Sequence, residues 1–258
     1  MFSKNKIRTM LVLLAMLCFA SSCTKENTTG FGKEIKTSAS EFSRQHDRYL
    51  QEMLEYQAKT FPQKTELTIS DVLDVIENVI GVRPVVLEDT TQLSSTCVVM
   101  NLNADTINLA DYSASSKIES YFSSADQILL NLDENDSLTS VYQLLDGIES
   151  SVMADNQTTD DEKETVVNAV EVLKGSLVLW NNYLDDDAAK INPQNWPRWK
   201  KVLFISAADA VGAVLGYFVG TYISVWGVYI SIPPGLVGAA AGAAAVSYLA
   251  YCYVNIVH

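Results

Sequence analysis

The chain has 258 residues, 48% of them apolar and only 19% charged, a composition that buries a substantial core and excludes global disorder. Its 31 acidic side chains against 18 basic ones give a formal net charge of -13, which repels phosphate backbones and excludes nucleic acid as a natural partner. Two histidines, His46 and His258, offer little for imidazole catalysis or a His-rich metal site.

Lys4, Lys6 and Arg8 precede an apolar run from Met10 to Ala20, followed by Ser21, Ser22 and Cys23. Charge, length and small residues in that order describe a secretory signal peptide over residues 1–22. Eleven apolar residues rise only about 16 Å as a helix, roughly half the hydrocarbon thickness, so removal rather than permanent spanning is expected. Cleavage after Ser22 leaves Cys23 either unmodified or lipidated. Cys18 would leave with the signal, so Cys97 and Cys252 remain, which make no disulfide scaffold and have no metal-ligand spacing.

Residues 23–40 are polar, carry Gly30 and Gly32, and read as a tether. An acidic helical region follows over 41–190. Phe42, Tyr49, Met53 and Tyr56 predict a helix from about residue 40 to Phe61, before Pro62. Ser70 opens a second helix with Val72, Leu73, Ile76, Val79 and Ile80 on one face, ended by Gly81 and Pro84. Val85 to Leu87 and Cys97 to Met100 read as short strands. Ile118, Phe122, Ala125 and Leu129 mark a third helix, with Ser116 and Glu119 at capping-box spacing. Leu138, Val141, Leu145 and Ile148 mark a fourth. Thr159 and Glu162 form a capping box before a fifth, striped by Val166, Val170, Leu173, Leu177 and Trp180. Between residues 84 and 189 there are 20 Asp or Glu against Lys117, Lys163 and Lys174. A solvated face that maintains solubility is the ordinary reading of such charge; a cation-binding or partner-steering face is the other. Asp133 to Asp136 and Asp185 to Asp187 lack the glycine and distant glutamate of a calcium loop, so no metal is expected.

The region 196–258 differs in kind. After Lys201 the remaining 57 residues contain Asp209 as their one acid, His258, and no lysine or arginine. Pro233 and Pro234 divide the stretch into 202–223 and 235–257, each long enough as a helix to cross about 30 Å of hydrocarbon. A helical hairpin with its turn near Trp226 to Pro234 is predicted. Gly212, Gly216 and Gly220 recur every fourth residue on its first helix, and Gly238 and Gly242 on its second, spacing that suits close helix packing. Trp196, Arg198, Trp199, Lys200 and Lys201 form a basic and aromatic collar before it, suited to a lipid interface or to packing on the helical body. Asp209 is expected to face the hairpin interior, bonded to groups between Tyr248 and Asn255.

Ala20-Ser21-Ser22-Cys23 resembles the lipobox of bacterial lipoproteins, in which the cysteine is acylated on sulfur and on its new amino terminus. The resemblance implies lipidation at Cys23 and, with Thr24 following, delivery to the outer membrane. Together with the fourfold glycines it is similar to glycine-zipper outer-membrane lipoproteins; the helices around a hydrophobic hairpin also resemble pore-forming colicins. The expected fold is all-α, an acidic amphipathic helical bundle plus a C-terminal hydrophobic helical hairpin. No GxSxG elbow, phosphate loop or HExxH is present, so a non-enzymatic, cofactor-free, lipid-anchored envelope protein is expected. Its hairpin would insert in a membrane, pack in a homo-oligomer, meet an unidentified protein partner, or stay buried in its own fold. The alternative is a membrane-active effector whose bundle shelters the hairpin.

Overall fold

The structure is a computed structural model that describes residues 31–62, 67–81, 85–87, 98–101, 107–113, 115–132, 135–184, 196–215, 221–225, 228–232 and 238–255. Seven α-helices dominate it: α1 (Phe31–Thr60), α2 (Ile69–Ile80), α3 (Ser116–Leu130), α4 (Leu138–Ala154), α5 (Asp160–Tyr183), α6 (Arg198–Leu215) and α7 (Gly238–Asn255). The fold is the expected helical bundle with a hydrophobic helical pair at its C-terminal end, to which a small four-stranded sheet is added.

Local chemistry fixes the helix ends. Thr68 caps α2 and Thr159 caps α5, each in a reciprocal box with Asp71 or Glu162 three residues on. Gly81 ends α2 at φ +80°, a left-handed conformation that glycine adopts without a Cβ penalty. The cap of α3 is Ser115 rather than Ser116; its hydroxyl accepts from the Ile118 N–H and donates to Glu162 Oε1 at 2.6 Å, joining the starts of α3 and α5. Residues 31–40, expected within the tether, are instead helical, because α1 begins at Phe31; residues 23–30 lie outside the described residues.

The apolar pair α6 and α7 lies inside the molecule. Helix α6 packs most closely on α5 and α7, while α1 packs on α5 and α7, so the two tail helices share one core with the amphipathic bundle. Every residue from Phe204 to Leu215 is buried. Helices α3 and α4 cover α5, and α2 covers α1. At about 25 cal/mol per Å² of apolar surface, hiding such helices against amphipathic partners is the main driving force available to them.

The predicted hairpin turn is instead sheet. Helix α6 stops at Leu215, short of the expected residue 223. Strands β3 (Thr221–Val225) and β4 (Val228–Ile232) pair antiparallel, Ile223 opposite Ile230. Val85–Leu87, here β1, joins β4 antiparallel, and Val98–Asn101, here β2, joins β3 in parallel, giving the order β1-β4-β3-β2. The two short strands expected at 85–87 and 97–100 thus find partners far along the chain. β-Branched and aromatic residues fill both late strands, and such side chains favour a pleated backbone over a helix.

Candidate functional site

Four helices converge on the one acid of the tail. Asp209, on α6, has a fully buried side chain, as has His46 on α1. His46 Nε2 lies 3.7 Å from Asp209 Oδ2, and Trp180 Nε1 on α5 donates to that oxygen at 3.2 Å. Ser176 on α5 and Ser247 on α7 favour the charged carboxylate from nearby without forming a direct hydrogen bond. On its far side His46 donates from Nδ1 to Asp47 Oδ1 at 2.9 Å, and Asp47 reaches the surface.

Burial pushes the Asp209 carboxyl up to about 6; the charge of His46 and the neighbouring Ser176, Ser247 and Trp180 hold it from going further. The arrangement clasps α6 to α1 and α5. A partner within Tyr248 to Asn255, expected from an isolated hairpin, is replaced by Trp180 and His46, because α1 and α5 enclose the hairpin. Tyr248 instead donates to Gln57 Oε1 at 2.8 Å.

The glycines of the pattern differ in their surroundings. A Cβ on Gly212 would lie 2.9 Å from Ala243 Cα and 3.1 Å from Val246 Cβ, so this position is where α6 and α7 touch backbone to backbone. A Cβ on Gly242 would meet nothing within 4 Å, so close packing does not place that glycine. Gly238 is the first residue of α7. Gly216, Gly220, Cys97 and the proposed lipidation site Cys23 lie outside the described residues. Cys252 is a buried free thiol, its pKa raised by burial.

The collar turns inward. Trp196 packs edge-on against Phe204 at 5.2 Å with Lys200 Nζ 4.2 Å above its ring, and Arg198 donates to the Asn181 carbonyl. Lys201 is buried rather than exposed at an interface, and burial lowers its pKa. Tyr251 stacks on Trp180 at 5.1 Å. Among the described residues no helix is long and apolar enough to cross a membrane. The expected spans of 22 and 23 residues are thereby corrected for the described helices: α6 and α7 each have 18.

Two further charged contacts hold the bundle. Lys174 on α5 gathers Glu149, Glu171 and Asp146 at 2.7, 2.6 and 2.9 Å. Burial raises the pKa of Glu149 against the stabilising Lys174 contact; burial alone would lower that of Lys174, which its three carboxylates raise instead. Asp126 on α3 is buried and accepts the backbone N–H groups of Leu109 and Ala110 at 2.8 and 3.1 Å, fixing the short 3₁₀ turn over Leu109–Tyr112. Among the described residues no group of three His, Cys, Asp or Glu side chains is placed to hold a metal ion.

His46 is the site residue that sequence reasoning passed over. Its signal was available: it stands four residues after Phe42 and three before Tyr49, on the apolar stripe of α1. Comparison with known families, with curated proteins and with solved structures finds no match to this chain.

Proposed function

We propose that this chain is a non-enzymatic, lipid-anchored protein of the bacterial cell envelope, held at the outer membrane through acylated Cys23, whose hydrophobic C-terminal pair packs within its own acidic helical body. What supports this reading is the enclosure of α6 and α7 by α1 and α5, with the tail's one acid met by His46 and Trp180. The apolar helices then need no bilayer, and attachment falls to the amino-terminal lipid, for which more than one acyl chain suffices. Membrane fractionation of wild type and Cys23→Ala tests this. The variant should appear in the soluble fraction; retention on membranes after alkaline carbonate extraction would show an inserted hairpin and refute the proposal.

A second reading, a membrane-active effector, draws on the same enclosure. A hairpin with no lysine or arginine beyond Lys201, sheltered by amphipathic helices, is a form in which a membrane-seeking segment stays dispersed in water. Dye release from liposomes by the purified Cys23→Ala protein between about pH 4 and 7, the window in which raised carboxylates titrate, would support it. Intact liposomes throughout that window would remove it.

A further inference from the structure

Helices α1 and α5 leave a groove of about 750 Å³ between them on the outer surface. On α1 its wall is the stripe Asp47, Gln51, Leu54 and Ala58, spaced four, three and four; on α5 it is Gly175, Val178 and Asn182, spaced three and four. Each wall is one helix face. The stretch from Asp47 to Ala58 rises about 16 Å, or three turns. Val178 and Tyr183, two of the large apolar side chains left most exposed on the described surface, stand on the α5 side at 38% and 45% exposure.

The charge of this groove has one sign. Asp47 and Glu55 line it and no basic side chain does. Lys59, one turn beyond, faces Glu55 across 3.8 Å with both side chains largely exposed, a contact of the kind that contributes little and that a partner's cation readily replaces. Arg48 is directed to Glu52 at 3.6 Å on the exposed side of α1. Helix α1 as a whole carries five acids and five Lys or Arg, so the negative sign belongs to the groove lining itself and to the chain's net charge of -13, which draws cations toward it from a distance.

We propose that the α1–α5 groove is the docking site for a basic amphipathic helix of a partner protein. A third helix laid between two others presents apolar residues at i, i+3 or i+4 and i+7 to Leu54, Val178 and Tyr183, while its own backbone stays fully hydrogen-bonded. Its flanking lysines or arginines reach Asp47 and Glu55. An acidic helix would bring like charges together and is disfavoured. This site is independent of how the protein is anchored.

The test is fluorescence anisotropy of purified Cys23→Ala protein with a labelled helical peptide of leucine and lysine, about 14 residues long, and with its counterpart in which glutamate replaces lysine. The lysine peptide should bind at least about tenfold more tightly than the glutamate peptide. Val178→Lys and Glu55→Lys, both at exposed positions, should each weaken it about tenfold or more, and Leu130→Lys, at a more exposed apolar site on α3, should leave it within about twofold. Circular dichroism confirms that each variant is folded. Equal binding of the two peptides, insensitivity to both groove substitutions, or flotation of the peptide-free protein with phosphatidylcholine vesicles that Val178→Lys abolishes would overturn the assignment, the last by giving the groove to lipid.

Discussion

Replacing Asp209 by asparagine keeps the shape of the side chain and an acceptor for Trp180 Nε1 while removing the ionisable proton. In the folded protein burial carries this carboxyl from its ordinary 3.8 to about 6. At about 1.4 kcal/mol per pH unit, the difference corresponds to about 3 kcal/mol of folding stability. Because the folded state holds the proton more tightly than the unfolded state, that stability is fully present below pH 3.8 and is lost as the pH rises through about 6. Wild type should therefore lose about 3 kcal/mol relative to Asp209→Asn between about pH 4 and 7. Urea unfolding followed by tryptophan fluorescence, repeated across that range for both proteins, measures the difference directly, and effects of Asp126 or Glu149 cancel in the subtraction. A difference that stays constant within about 0.5 kcal/mol would refute the reasoning, since no proton would then be coupled to the burial of Asp209. The sign also bears on the effector reading: acid tightens the fold around Asp209, so any acid-triggered release must draw on other carboxylates. Asp155, held well below the usual range by the Gln157 backbone N–H and by Lys117 and Thr158, gives up its contribution only as the pH falls below its ordinary 3.8, outside the liposome window.

Gly212 and Gly242 should respond in opposite directions. Gly212→Ala drives a methyl into the backbone of α7 and should cost about 1–3 kcal/mol, whereas Gly242→Ala adds helix propensity in open space and should gain up to about 1 kcal/mol by chemical denaturation. Lys174→Met strands the buried Glu149 beside Glu171 and should destabilise by about 3–5 kcal/mol near neutral pH, with part of the loss recovered in acid as Glu149 takes a proton. If the loss is the same at both pH values, the carboxylate is not what the lysine neutralises. Asp126→Ala removes the acceptor from two backbone N–H groups, one of them on fully buried Leu109, and should cost about 1–3 kcal/mol; hydrogen exchange should accelerate first at Leu109 and Ala110.

Periodicity and caps made the amphipathic helices legible, because each buries a single stripe and the starts of α2 to α5 are marked by Thr68, Ser115, Ser137 and Thr159, whose side chains satisfy free N–H groups. Two of these, Thr68 and Ser115, lie two residues and one residue before the expected Ser70 and Ser116. Thr159 with Glu162, and Gly81 at the end of α2, are read from neighbours in sequence and need nothing else. The late strands were hidden by their composition. Thr221 to Val225 and Val228 to Ile232 are apolar enough to extend a helix on hydropathy, and only their β-branched and aromatic runs around Trp226 and Gly227 signal sheet. The partners of Asp209 were beyond reach for a different reason. Spacing within the hairpin says what α6 and α7 offer each other, but His46 and Trp180 come from α1 and α5, and only the three-dimensional path of the chain brings those helices to the tail.

The sheet between α6 and α7 carries a consequence for assembly. β2 runs alongside β3 and β1 alongside β4, so main-chain bonds made by residues near 90 staple the loop joining two helices more than a hundred positions later. A ribosome must therefore deliver almost the whole polypeptide before either early strand can zip, leaving their edges bare during synthesis. The same stapling means that the greasy pair is no detachable cassette: liberating it requires tearing two ladders, one of them parallel and neither near its own termini.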